Sequence, residues 1–131
     1  MDALNGFRVL VVENDEDNLM LLSFVLMEAG MEVIRACLAC EAFTLLAAKP
    51  DLLISEVRLP EEDGISLICR IRKLCPTQGG HIPAIALSTD VAQETQHQAL
   101  AAGYQAFITK PFDIDELLWM VAGVKADRQC L

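Results

Sequence analysis

The sequence predicts an α/β fold, a parallel sheet with helices on both faces, and three observations carry that prediction. Short β-rich apolar runs alternate strictly with longer helical patterns along the chain. Five such runs fit into 131 residues, each followed by room for one helix. The first run, Phe7 to Val12, is apolar at nearly every position rather than at alternate ones, as expected of a strand covered on both faces.

The elements follow in order. A helix from Asn18 to Ala29 places Leu19, Leu22, Leu26 and Ala29 on one face, with Gly30 as its C-terminal stop. Glu32 to Cys37 reads as the second strand, and the helix from about Cys40 to Ala48 ends before Pro50. Leu52 to Glu56 is the third strand, and Ser66 to Cys75 the third helix, apolar at Leu67, Ile68 and Ile71. Thr77-Gln78-Gly79-Gly80 reads as a loop before the fourth strand, Ile82 to Ser88. Ala92 to Ala102 is a polar helix closed by Gly103, Ala106 to Ile108 the fifth strand, and Ile114 to Val124 the last helix. Five βα units of this length fit a flavodoxin-like doubly wound five-stranded parallel sheet, (βα)5 in three α/β/α layers. Ligand chemistry in such sheets gathers at the carboxyl ends of the strands. One domain over residues 1–131 is expected, with its core between about 7 and 124.

Composition narrows the function. A hydrophobic fraction of 53% with 22% charged residues suits a compact soluble chain. A formal charge of −9 repels nucleic acid, so direct nucleic-acid binding by this domain is not expected. No apolar run approaches the roughly 20 residues that span a bilayer, and Met1-Asp2-Ala3-Leu4-Asn5 lacks the basic start of a signal peptide. A cytoplasmic location without membrane contact is expected. Cys37, Cys40, Cys69, Cys75 and Cys130 are an odd set with no disulfide-scaffold spacing. Cys37 and Cys40 form a C-x-x-C pair, but without a second pair or a nearby His they read as small residues at a strand end rather than a redox or metal motif. His81 and His97 are isolated in different elements and read as ordinary polar residues.

The residues just past the strands are Glu13 and Asn14, Glu56, Ser88, and Thr109 with Lys110. They stand in Val11-Val12-Glu13-Asn14-Asp15-Glu16-Asp17-Asn18, in Leu52-Leu53-Ile54-Ser55-Glu56 followed by Pro60 and Gly64, in Ala86-Leu87-Ser88, and in Phe107-Ile108-Thr109-Lys110-Pro111-Phe112. From about Arg8 to Val124 the chain resembles the receiver domains of response regulators, bacterial-type modules of two-component phosphorelays. Those domains carry an acidic pair after the first strand, a phosphoacceptor Asp after the third, Ser or Thr after the fourth and Lys-Pro after the fifth. The resemblance implies that Glu56 stands at the phosphoacceptor position and that Ser88, Phe107 and Lys110 form the phosphate pocket and switch. It also implies Mg²⁺ held by Glu13, Asn14, Glu56 and the backbone carbonyl of Arg58. Phosphoryl transfer gathers negative charge, which a divalent cation and a fixed ammonium neutralise.

Two departures set the functional expectation. Glu56 replaces Asp, and its extra methylene pushes the acceptor oxygen toward Lys110, away from in-line attack geometry. Asn14 replaces an anionic metal ligand, which weakens or abolishes Mg²⁺ binding, since hard cations prefer charged oxygens. Asp15 and Asp17 stand near enough in sequence to compensate, although a solvated helix start with an N-cap is their ordinary role. Ordinary phosphorylation is therefore not expected. The longer carboxylate, within reach of Lys110 and Ser88, acts either as a constitutive partial phosphomimic or as a relic in a docking module. A partial mimic is the most it can be, with one negative charge against about −1.5 to −2 for a phosphate.

Partners implied by the resemblance are a histidine kinase or phosphotransfer protein and a downstream effector domain, with a homodimer also open. The implied output face, built by the fourth helix, fifth strand and fifth helix, takes in Gln96, Ala99, Leu100, Tyr104, Ala106 and parts of Leu117 to Val124. Trp119 beside the inward Leu117, Leu118 and Val121 is expected to be partly exposed, as a partner anchor or a cap on the core edge. An Mg²⁺-dependent phosphohydrolase of this topology would need a D-x-D pair, which Glu13-Asn14-Asp15 does not supply. A flavin- or nucleotide-binding domain would need a Gly- or Ser/Thr-rich phosphate loop after the first strand, where the chain is acidic. A signalling module rather than an enzyme is the expectation.

Overall fold

The computed structural model describes residues 4–90 and 92–129, with side chains as far as 126; Cys130 and the Met1-Asp2-Ala3 start lie outside them. Strands β1 (Arg8–Val12), β2 (Glu32–Ala36), β3 (Leu52–Glu56), β4 (Ala84–Ser88) and β5 (Ala106–Thr109) form one sheet in the order β2-β1-β3-β4-β5. Every neighbouring pair is parallel. The helices are α1 (Glu16–Glu28), α2 (Ala39–Leu45), α3 (Gly64–Arg72), α4 (Gln93–Ala102) and α5 (Ile114–Gln129). The chain winds outward in one direction from β1 to β2 and in the other from β3 to β5. The switch point therefore lies between β1 and β3, at the strand ends that carry Glu13 and Glu56.

The pleat sends alternate residues of each strand to opposite layers. Val9, Val11, Leu52, Ile54, Ile85 and Leu87 pack with α1 and α5. Leu10, Val12, Leu53, Ala84 and Ala86 pack with α2, α3 and α4. Each fully buried Leu, Ile or Val side chain contributes about 1.5–3 kcal/mol relative to exposure, which is why Val9 to Val12 of β1 and Leu52 to Ile54 of β3 are apolar throughout. Gly30 follows α1 with φ 94°, a left-handed stop that a side chain would resist.

Several boundaries differ from expectation. The second helix ends at Leu45, and Leu46–Ala48 tightens into a 3₁₀ turn before Lys49 takes a left-handed conformation ahead of Pro50. The third helix starts earlier, at Gly64, capped by Asp63, whose carboxylate accepts from Ser66 N–H at 2.8 Å. It also stops earlier, at Arg72, because Cys75 precedes a proline and is extended; Pro76–Gln78 then forms a 3₁₀ turn where an irregular loop was expected. The last helix runs on to Gln129.

Helix α1 is apolar on both sides. Leu19, Leu22 and Leu26 are buried, whereas Met20, Leu21, Phe24 and Met27 are each close to half exposed or more. Among the described residues no helix is long and apolar enough to cross a membrane.

Candidate functional site

Three strand ends deliver the central residues. Glu13 follows β1, its N–H donating to Ala36 O at 3.1 Å, and Glu56 closes β3 in register with Leu87. Lys110 follows β5, its N–H donating to Ser88 O at 2.8 Å, and the Lys110–Pro111 bond is cis. The Lys110 ammonium pairs with Oε1 of Glu13 and with Oε2 of Glu56. Both carboxylates are buried, at 4% and 5% residue exposure.

The other two carboxylate oxygens are also engaged. Glu13 Oε2 accepts from Asp15 N–H at 3.3 Å, and Glu56 Oε1 from Arg58 N–H at 3.1 Å. Burial draws the Lys110 pKa down, but the hydrogen bonds and charges of Glu13 and Glu56 together outweigh it and hold the pKa above its ordinary value. Lys110 is therefore an ammonium at any physiological pH, shared between two anions.

The loop after β3 is pulled back against the strand. Gly64 N–H donates to Val57 O at 2.8 Å, and a Cβ on Gly64 would lie 2.5 Å from Glu56 O. Only glycine permits that approach. Tyr104 closes the same corner from below, its hydroxyl donating to Gly64 O at 2.8 Å. Burial pushes its phenol pKa up.

A second network lies beside the pocket. The Arg58 guanidinium donates to Asp90 Oδ2 at 2.6 Å, joined there by the Thr95 hydroxyl at 2.8 Å, while Ala92 N–H donates to Asp90 Oδ1 at 3.0 Å. The Ala92, Arg58 and Thr95 hydrogen bonds lower the Asp90 carboxyl pKa to about 2. Asp90 N–H in turn donates to Ser88 Oγ at 3.0 Å. Sequence reading singled out Arg58 only for its carbonyl and missed Asp90 and Thr95; no spacing rule pairs the loop after one strand with the loop after the next.

Not every expected site residue joins the center. Ser88 is fully buried and bonded to Asp90 N–H rather than to Glu56, so the anticipated reach of Glu56 to Ser88 is corrected. The one methylene gained by Glu56 is spent on Lys110 and the Arg58 amide. Phe107 is half-buried against the α2, α3 and α4 layer. Asn14 is exposed. On the expected output face, Ala99 and Tyr104 are core residues and not surface, the second correction. Leu100 is well exposed, Gln96 and Ala106 partly so, and Trp119 is 77% exposed, more than expected.

The residues present do not suit the divalent cation that the resemblance implies. Among the described residues no group of three acidic, His or Cys side chains is placed to hold a metal ion. The donor set offers two carboxylates, both already paired to one ammonium, and a neutral exposed amide where an anion is wanted. Asp15 and Asp17 are exposed on the α1 start, and the Asp15 side chain makes no capping bond there.

Comparison with known proteins agrees with this geometry. Residues 9–122 match the family described as the response regulator receiver domain. The chain is 41% identical over 122 residues to an uncharacterized 14.6 kDa protein in the sodA1 3′ region of Leptolyngbya boryana, covering 92% of each. It is 35% identical over 111 residues to the transcriptional regulatory protein KdpE of Staphylococcus aureus and 37% over 115 to PhoP of Escherichia coli O157:H7. It covers 84% and 85% of itself in those matches but spans only 46% and 48% of those regulators. A response regulator structure from Chloroflexus aurantiacus is similar at TM-score 0.87 and 30% identity, covering 93% of this chain and 99% of that one. The receiver domain of the sensor histidine kinase PA1611 from Pseudomonas aeruginosa, described with magnesium coordinated in its active-site cleft, is similar at TM-score 0.84 and 26% identity, covering 92% and 98%. With strand order, strand-end chemistry and sequence in agreement, this chain belongs to the response regulator receiver domain family, the signalling modules of two-component systems.

Proposed function

We propose that residues 1–131 act as one phosphorylation-independent receiver module, a docking partner in two-component signalling rather than a phosphate-driven switch. The observation that carries this reading is the Glu56–Lys110–Glu13 ion triad, in which the carboxylate that would accept a phosphoryl group is buried and already paired on both oxygens. A nucleophile held in this way has a donor on each oxygen, and its longer side chain departs from the in-line geometry that phosphoryl transfer needs. Glu56, Ser88, Phe107 and Lys110 then form a retained but silent pocket, in a protein we place in the cytoplasm. Such a module has no enzymatic activity of its own, and neither phosphohydrolase nor flavin chemistry has residues to support it here.

Receiver domains work with histidine kinases, phosphotransfer proteins and effector domains. For this chain two exposed apolar surfaces support docking: Leu100 and Trp119 on the α4 and α5 side, and the Met20, Leu21, Phe24 and Met27 row on α1. The α1 row is edged by Glu16, Asp17 and Glu28, so it suits an apolar partner surface with a basic rim. A second copy of a chain with charge −9 is disfavoured by long-range repulsion.

A second reading, the constitutive phosphomimic, is favoured by one contact, Glu56 with Lys110. Amide ¹H–¹⁵N spectra of the wild type and Glu56→Gln separate the two. The docking reading expects shifts confined to residues around 13, 56 and 110. Coherent shifts extending through α4, β5 and α5 would instead mean that Glu56 holds an active-like state.

A further inference from the structure

We propose that helix α4 is clamped at both ends to the segment that follows Glu56, so that its exposed face is held ready for a partner by side chains of this chain and not by a phosphoryl group. The inference deepens the docking reading above, on which it rests, by naming what fixes the surface that carries Leu100.

The core does little to place this helix. Among the described residues of α4 only Ala99 is buried, so the apolar area that seats it on the sheet is small. A helix with few buried contacts is positioned by what holds its ends.

The first clamp is at the start of α4. The Asp90 carboxylate accepts from Ala92 N–H at 3.0 Å and from the Thr95 hydroxyl at 2.8 Å, both on the helix side. It also accepts from the Arg58 guanidinium at 2.6 Å, on the loop after β3. Arg58 N–H donates to Glu56 Oε1 at 3.1 Å, so one residue joins the acceptor position to the α4 cap. Asp90 N–H donates to Ser88 Oγ at 3.0 Å and ties the same loop to the end of β4. The Arg58 side chain is 71% exposed, and an ion pair so open to water contributes little by itself. Its role is to set where the capped helix start lies.

The second clamp, at the other end, is buried. Tyr104 lies two residues beyond α4, and its hydroxyl donates to O of Gly64, the first residue of α3, at 2.8 Å. Opening that contact would strand a hydroxyl and a carbonyl inside the core. Arg72 crosses the same corner, donating to Gly103 O through Nη2 at 2.7 Å and Nε at 3.1 Å. A Cβ on Gly103 would sit 2.8 Å from Arg72 Cγ, and its φ of 135° gives the turn that carries Tyr104 inward.

Hydrogen exchange read amide by amide in ¹H–¹⁵N spectra of the intact chain tests the clamps with Asp90→Ala, Arg58→Met and Tyr104→Phe. Arg58→Met keeps the Asp90 cap and removes only its tie to the loop, and Tyr104→Phe removes a single hydroxyl. Each variant is expected to speed exchange at the amides of Gln96 to Gly103 at least about tenfold more than in β1 and β3. The double variant Arg58→Met/Tyr104→Phe is expected to exceed either parent. If Asp90→Ala fails to fold, Arg58→Met decides that end. Unchanged α4 exchange in Arg58→Met and Tyr104→Phe would overturn the proposal. So would an effect of Asp90→Ala without one of Arg58→Met, which would make Asp90 an ordinary helix cap. Acceleration spread evenly over the sheet would also overturn it, as a loss of global stability. Any of these in a chain that refuses phosphate sinks this inference and leaves the docking reading intact. A phosphate adduct on the wild type would instead remove the reading on which it rests.

Discussion

Replacing Lys110 by methionine removes the charge while keeping most of the stem, and it leaves Glu13 and Glu56 facing each other in a buried site. Because both carboxylates contact the same ammonium, their oxygens lie within about 5 Å of one another, twice a hydrogen-bond length. Two unit charges about 5 Å apart repel by about 3 kcal/mol at an effective dielectric of about 20. That falls at the low end of the roughly 3–5 kcal/mol lost when one partner of a buried ion pair is deleted. A domain of this size is stable by about 5–15 kcal/mol, so Lys110→Met is expected to lower Tm by about 10 °C or more. Urea unfolding followed by far-UV circular dichroism, in buffer stripped of divalent cations, measures the loss. The double variant Lys110→Met/Glu13→Gln removes the repulsion and is expected to recover more than half of it. A loss below about 1 kcal/mol, the range of solvent-screened surface pairs, would refute the claim that the triad is a buried, mutually dependent unit.

Three further outcomes follow from other parts of the molecule. The Asp90 carboxyl is lowered from 3.8 to about 2 by its Ala92, Arg58 and Thr95 bonds, so its contribution to stability is full above pH 3.8 and lost as pH falls through about 2. Asp90→Asn should flatten that acid limb in a Tm-versus-pH series, and an unchanged limb would mean the network forms no part of the folded state. Gly64→Ala places a methyl 2.5 Å from Glu56 O and should cost about 1–3 kcal/mol in urea unfolding; a neutral effect would mean the loop is not held against β3. Phe24→Glu on the open side of α1 should leave stability within about 0.5 kcal/mol, and a loss of about 2 kcal/mol or more would mean the row is covered in the folded chain.

Much of the fold was legible because strands covered on both faces announce themselves. Leu52 to Glu56 is legible to the residue, since Leu52, Leu53 and Ile54 follow Pro50-Asp51 directly and lead to the acid at the strand end. The inward stripe of α1 followed from helical spacing, but the outward row did not, because Met20, Leu21, Phe24 and Met27 make the helix apolar all round and blunt its periodicity. The strand-end rule brought Glu13, Glu56 and Lys110 to one place correctly. What it could not supply was side-chain partnership. Ser88 turns to Asp90, and Tyr104 turns inward to Gly64 instead of facing a partner, because a buried hydroxyl takes whichever donor or acceptor the tertiary fold puts beside it. Arg72 was likewise invisible to sequence reading. Its half-buried guanidinium donates to Gly103 O at 2.7 Å and Gly80 O at 2.9 Å, tying α3 to the loops before β4 and β5.

The measurement that reaches the central claim most directly is the intact mass of the wild-type protein after incubation with Mg²⁺ and acetyl phosphate. A pocket closed by the Glu56–Lys110–Glu13 triad predicts an unmodified mass under conditions that modify a receiver carrying Asp at the same position. A phosphate adduct that maps to Glu56 would contradict it.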